Sequence, residues 1–267
     1  MSTLVDLIAL YEEEGLSVRT GLNPLHFPGS DPVELPFTYL FYGARNMCSG
    51  GGIAIDELTF LETLFEDFKP ANIFVIGNAY GWTTLALALL NRDARVVAID
   101  LCPRREEEIG IETTNRIAEK AGLNLTAIKA KSPDDVARVA AEELTGAIDF
   151  AFIDGGHTNA QQTKDFEALR EVASPDAVYL FHDVVNFAMT QSLVAIAQSN
   201  PDLIVRILMR TTSGMGIGYP LSREPEVGRA VAAFCEDEER MRDIRTAIAN
   251  KRAKESPPVS GSAGEGR

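Results

Sequence analysis

The chain has 267 residues, 45% of them apolar and 24% charged, a balance that suits a globular protein with a core of its own. Thirty-nine acids against 25 bases leave a formal charge of -14, which argues against a nucleic-acid partner or an anionic membrane surface, since both require a basic footprint. No apolar run reaches the roughly 18 residues of a membrane span. The opening residues, MSTLVDLIALYEEEG, lack the basic start of a signal peptide. Cys48, Cys102 and Cys235 are scattered and form no CxxC spacing, so the expectation is reduced thiols in a cytoplasmic protein.

Residues 3–15 read as a short amphipathic helix, 20–36 as a Pro- and Gly-rich loop, and SGGG at the end of 37–52 as a turn. Leu58, Leu61, Leu64, Phe65 and Phe68 recur at steps of three and four, which predicts a helix from Ile55 that Pro70 ends. The pattern then alternates. Apolar runs at 73–77, 95–100, 125–130, 148–154 and 177–183 read as strands. Helices are predicted at 82–90, 104–121, 132–144, 158–173 and 186–199 between and after them. Two further strands, 203–209 and 216–221, are too close in sequence for a helical crossover and predict an antiparallel hairpin. A charged helix over 223–254 and a disordered tail over 255–267 complete the chain. Five strand–helix units require an α/β fold, a parallel sheet with helices on both faces. The domain reading is a cap at 1–54 that faces substrate or a second copy, a ligand-binding domain at 55–222, the C-terminal helix and the tail.

In such sheets ligands sit at the carboxyl ends of the strands. The first strand ends in VIGNAYGWTT. Gly77 permits a sharp turn, Ala79 a close ligand approach, and Gly81 a tight start to the following helix, whose free N–H groups face the ligand. Asp100 ends the second strand 23 residues after Gly77, near the spacing at which an acid accepts ribose hydroxyls. Asp154 ends the fourth strand, and His182 and Asp183 end the fifth. Adjacent strands lie about 4.8 Å apart, so these side chains converge. Two carboxylates and an imidazole can hold a divalent cation: oxygen donors favour Mg²⁺ or Ca²⁺, and the imidazole admits Mn²⁺ or Fe²⁺. Without a metal, His157 or His182 is the candidate general base.

VIGNAYGWTT, VVAID, FAFIDGGH and AVYLFHDV together resemble class I S-adenosylmethionine-dependent methyltransferases over about residues 55–220, in particular the small-molecule O-methyltransferase branch. The resemblance implies a Rossmann-like, seven-stranded, mostly parallel sheet in the order 3-2-1-4-5-7-6. It implies S-adenosyl-L-methionine as cofactor, held by Gly77, Asn78, Ala79, Gly81, Trp82, Asp100, Ser132 and Asp154, with Ser132 near the adenine. It further implies a small-molecule substrate, Asp154, His157 and His182 as catalytic residues, a metal at Asp154, His182 and Asp183, and a homodimer as the assembly. The sequence departs from the branch in three places, one of them Ala79 in place of the motif's central glycine. Val75 stands where many members carry an acid, and His182–Asp183 replaces an Asp–Asn pair.

Other readings of the same residues are an oxidative metal enzyme, a non-catalytic ligand-binding module, and a nicotinamide-dependent dehydrogenase, the last disfavoured by the G-x-x-x-G spacing. Gln161, Gln162 and Lys164 are expected in solvent, His26 as incidental. Asn186, the aromatics of PFTYLFYGARNM and Arg210–Thr212 are candidate pocket-rim residues. Oxygen and nitrogen acceptors are not separable from sequence.

Overall fold

A computed structural model describes residues 2–27, 34–48, 51–236 and 238–255. Parts of the expected Pro-rich loop and SGGG turn, and the tail from 256 onward, lie outside these residues. The chain divides into two compact units, residues 1–235 and 236–267. The first unit opens with α1 (Thr3–Glu13), followed by β1 (Ser17–Arg19), β2 (Tyr39–Tyr42) and β3 (Arg45–Asn46). These three strands form a small antiparallel sheet, which sequence periodicity did not reveal because none exceeds four residues.

The main sheet follows. In chain order its elements are α2 (Ile55–Asp67), β4 (Asn72–Ile76), α3 (Trp82–Leu90), β5 (Arg95–Asp100), α4 (Arg105–Ala121), β6 (Leu125–Lys129), α5 (Val136–Glu143), β7 (Ile148–Ile153), α6 (Asn159–Val172), β8 (Ala173–Phe181), α7 (Thr190–Ser199), β9 (Leu203–Ile207), β10 (Gly216–Pro220) and α8 (Glu224–Phe234). The strand order is β6-β5-β4-β7-β8-β10-β9. This is the expected 3-2-1-4-5-7-6 arrangement, parallel through β8, with β10 inserted antiparallel between β8 and β9.

Strand alternation separates two cores. Ile73 and Val75 of β4 point to one face with Val96, Ala98, Phe150 and Phe152, covered by α1, α2, α3, α4 and α8. Phe74 and Ile76 point to the other with Val97, Ile99, Ala151 and Ile153, covered by α5, α6 and α7. Both faces are dry, and for that reason the strands read as continuous apolar runs.

Three helices differ from the sequence reading. The expected 132–144 helix begins at Val136, after a turn over residues 132–135. Residues 183–189 form a loop and α7 begins only at Thr190; Asp183 and Ala188 have φ of 56° and 54° there, which no helix accommodates. The expected 223–254 helix is two: α8 ends at an extended Cys235, ahead of the acidic run EDEE. The second unit contributes α9 (Glu238–Glu255), polar on most of its surface. No helix among the described residues is long and apolar enough to cross a membrane.

Candidate active site

The carboxyl ends of β4, β5, β7 and β8 open into two adjoining cavities of about 510 and 380 Å³, which share Gly77, Asp100, Asp154 and Gly155 as walls. Such volumes are those of small-molecule sites. Gly77 (φ 93°) turns the chain out of β4, and a Cβ on it would lie 1.9 Å from the Asp154 carbonyl oxygen. Gly81 (φ 82°) lets α3 start against Thr114 of α4, 2.2 Å from where a Cβ would be. Ala79, between them, has φ 46°, a left-handed conformation that suits glycine better.

Asp100 lines both cavities and also braces the loop. Its Oδ2 accepts from the Asn78 and Ala79 backbone N–H groups at 2.9 and 2.8 Å, and its Oδ1 accepts from Cys102 N–H at 3.0 Å. Burial and the neighbouring Asp100 push the Cys102 thiol up to about 12, so it stays protonated. The Asn78 side chain turns inward, donating to Ala79 O and Thr114 and accepting from Thr84. Trp82 is buried at the cavity wall against Tyr11 (ring centroids 5.7 Å apart). Tyr11 Oη donates to Tyr80 O at 2.7 Å, so α1 supports the glycine loop directly.

The smaller cavity holds a group that the sequence reading did not single out. Asp165 of α6 is 1% exposed, and its Oδ1 accepts from the Ser132 hydroxyl and from Gln161 Nε2 at 2.7 Å. Its Oδ2 has no partner, and burial pushes its carboxyl pKa up. Gln162 is also buried, bonded to the Ser192 hydroxyl, and only Lys164 of the three faces solvent.

Beneath the larger cavity His182 lies among three carboxylates. Its Nε2 is 3.0 Å from Glu57 Oε2, and its Nδ1 is 3.3 Å from Asp154 Oδ1 and 3.5 Å from Asp183 Oδ2. Burial opposes charge on this imidazole, but Asp154 and Glu57 outweigh it and hold its pKa well above the usual value. Burial likewise opposes the Asp154 and Glu57 charges, but the imidazoles beside them hold both carboxyls below their usual range. His157 is partly exposed on the cavity side, 3.3 Å from Asp154 Oδ1 and 3.5 Å from Asp183 Oδ2, with its ring 4.2 Å from that of Phe187. Its hydrogen bond to Asp154 raises its pKa.

Asp154, His182 and Asp183 each turn one donor atom to a common point, all within 4.8 Å of one another. Two observations bear on whether an ion fits. His182 Nδ1 is buried without a hydrogen-bond partner. Its distances to the carboxylates exceed the roughly 2.7–2.9 Å of a charge-assisted hydrogen bond. The shorter, 3.3 Å, falls within the about 3.0–3.4 Å between neighbouring ligands that each stand ~2.1 Å from a cation, and the longer, 3.5 Å, lies just beyond it. The donor set therefore fits a divalent ion.

Sequence reasoning missed Glu57, which is fully buried on α2. Its Oε1 accepts from Ser213 N–H at 2.9 Å and from the Ser213 hydroxyl, and its Oε2 accepts from Ala54 N–H at 2.9 Å. A signal existed: positions 57, 61, 64 and 68 fall on one helical stripe, so an acid there sits on the apolar face. Of the expected rim residues, Asn186 lines the cavity with Phe37 and Leu40 of the aromatic segment, whereas Thr212 is tied to Asp56; His26, read as incidental, is exposed.

Residues 74–184 match the family model described as a methyltransferase domain. Among curated proteins none matches this sequence. Among solved structures the chain is similar to an O-methyltransferase from Bacillus cereus in complex with SAH (17% identity, 82% of this chain and 91% of that one, TM-score 0.53). It is also similar to cofactor-bound Rv0187 from MTB (14% identity, 82% and 89% covered, TM-score 0.52). A candidate caffeoyl-CoA O-methyltransferase from Staphylococcus aureus matches with 17% identity over 61% of this chain and 82% of its own (TM-score 0.50). The shared feature is the fold.

Proposed function

We propose that the protein, whose residues 74–184 match a methyltransferase-domain family model and whose main sheet has the β6-β5-β4-β7-β8-β10-β9 order, transfers the methyl group of S-adenosylmethionine to a hydroxyl of a small molecule. One observation carries this reading: Asp100 and Asp154, from strands β5 and β7 on either side of β4, open onto the same cavity as the Gly77 loop. When bound, the cofactor supplies an electrophilic methyl carbon on a positively charged sulfur.

The chain's residues supply the rest. The smaller cavity, with Ser132, Gln161 and Asp165 among its walls, takes the base, with the Asp165 carboxylate as acceptor for its exocyclic amino group. Asp100 sits where the ribose falls, and its hold on the Asn78 and Ala79 N–H groups keeps the loop from closing over that space. Asp154 and Asp183 face the larger cavity and provide negative charge beside the sulfonium. Asp154, His182 and Asp183 would hold a divalent cation, which would lower the pKa of the acceptor hydroxyl and orient it. His182 is sealed from the cavity, so it does not touch the substrate; His157, partly exposed and oriented by Asp154, takes the hydroxyl proton as the O–C bond forms and the C–S bond breaks. Phe187 beside His157 gives an apolar wall for the acceptor.

Isothermal titration with S-adenosylmethionine tests the cofactor, and methyl transfer to a panel of phenols, sugars and amines tests the acceptor. No heat of binding at millimolar cofactor would sink the reading, and transfer to amines alone would correct the acceptor class.

A further inference from the structure

Glu57 belongs to no part of the methyl-transfer chemistry above, yet it is a fully buried carboxylate, the costliest kind of group to bury without purpose. Both its oxygens are engaged: Oε1 by Ser213, Oε2 by Ala54 N–H and by His182 Nε2. An acceptor fixed in this way requires His182 to carry a proton on Nε2. The other nitrogen, Nδ1, then faces the gap between Asp154 and Asp183 as a buried atom with no hydrogen-bond partner. A carboxylate that takes one imidazole N–H and thereby aims the opposite nitrogen is the outer-shell arrangement that orients histidine ligands on metals.

We propose that Glu57 is the positioning residue that makes His182 a metal ligand, and that the resulting set of one imidazole nitrogen and two carboxylate oxygens takes a borderline divalent ion such as Mn²⁺ or Co²⁺ in preference to Mg²⁺. The inference rests on the cation site of the proposed function but not on S-adenosylmethionine binding. Magnesium favours oxygen donors in near-ideal octahedral geometry, whereas imidazole suits the first-row transition ions. Position 182 is where the preference is set: an aspartate there would make the three-residue site all-oxygen.

The test uses the full-length protein, stripped with chelator and then titrated separately with Co²⁺ and Mg²⁺, with S-adenosylhomocysteine titrated into the same samples. The wild type is expected to bind one Co²⁺ that equimolar Mg²⁺ does not displace. Glu57→Gln is expected to weaken Co²⁺ binding about 10- to 100-fold with S-adenosylhomocysteine affinity unchanged, and His182→Asp to reverse the Co²⁺ over Mg²⁺ preference. Because a variant at a buried acid can fail to fold, the wild type carries its own readout. Its three histidines, His26, His157 and His182, are few enough to resolve by ¹⁵N NMR in the Zn²⁺-loaded protein, and His182 is expected to be protonated on Nε2 and ligated through Nδ1. A His182 protonated on Nδ1 in that sample, or Mg²⁺ bound as tightly as Co²⁺, overturns the proposal. If S-adenosylhomocysteine binds and Co²⁺ does not, this inference fails and the transferase reading stands; the opposite pattern removes the transferase reading and leaves the metal site.

Discussion

The Cα of Gly77 rests against the carbonyl oxygen of Asp154, so close that a methyl group on it would sit 1.9 Å from that oxygen. The contact brings the ends of β4 and β7 together, and Gly77 is also at φ 93°. Gly77→Ala therefore combines a backbone clash with a left-handed alanine. It is expected to cost about 2–5 kcal/mol of stability and to abolish binding of S-adenosylhomocysteine. Urea denaturation and calorimetry check both; a variant of native stability would mean that the loop repacks freely.

Ala79 is the opposite case, an alanine where the backbone asks for glycine. Its φ of 46° costs about 1–2 kcal/mol relative to a relaxed residue, partly offset by the freedom that glycine adds to the unfolded chain. Ala79→Gly is expected to stabilise the protein by about 0.5–1 kcal/mol, read as a higher urea midpoint. A lower midpoint would contradict the strain assigned to this position.

The base-binding role of Asp165 predicts a selective effect. Asp165→Asn replaces an acceptor by a donor, and is expected to weaken S-adenosylhomocysteine binding roughly tenfold, the worth of one charged hydrogen bond at about 1.5 kcal/mol. Affinity for the inosine analogue, which carries a carbonyl in place of the amino group, should change less or improve. Equal losses for both ligands would leave Asp165 a purely structural acid.

Glu14 gives a prediction in pH. It follows α1 and pairs with Lys120 and Arg116 of α4. The hydrogen bond from Lys120 and the Arg116 charge hold its carboxyl below the usual range, against the effect of desolvation. A depressed carboxylate stabilises the fold above its unfolded pKa of roughly 4.5, and that contribution disappears as pH falls through the lower folded value. Wild type should exceed Glu14→Gln by about 1 kcal/mol or less at pH 7, since both cations are half-exposed. Urea titrations at a series of pH values should show the gap closing below about pH 4. A gap that widens on acidification would reverse the sign of the argument.

The sheet was legible because its parallel strands are buried on both faces. IFVI and FAFI are unbroken apolar runs, and Gly77, Asp100 and Asp154 mark where each chain end leaves the core. The site was legible as far as it lies at those ends. What it lacked came from helices: Glu57 on α2 shares the stripe of Leu61, Leu64 and Phe68 and could have been read as inward-facing, whereas for Asp165 on α6 only packing reveals it. Residues 186–189 were misread as the start of a helix because the positive φ at Ala188 leaves no mark in residue type. The three short strands before residue 47 were missed because pairing 22 residues apart, Val18 to Leu40, has no local period.

Ser213 joins two segments of the site. Its N–H and hydroxyl bind Glu57, while its carbonyl oxygen accepts from Val185 and Asn186 N–H. The turn after β8 and the turn before β10 thus share a single anchor and must travel together. An acceptor molecule that displaces either one pulls on the carboxylate behind His182, so the fit of the substrate and the alignment of the imidazole are mechanically one variable.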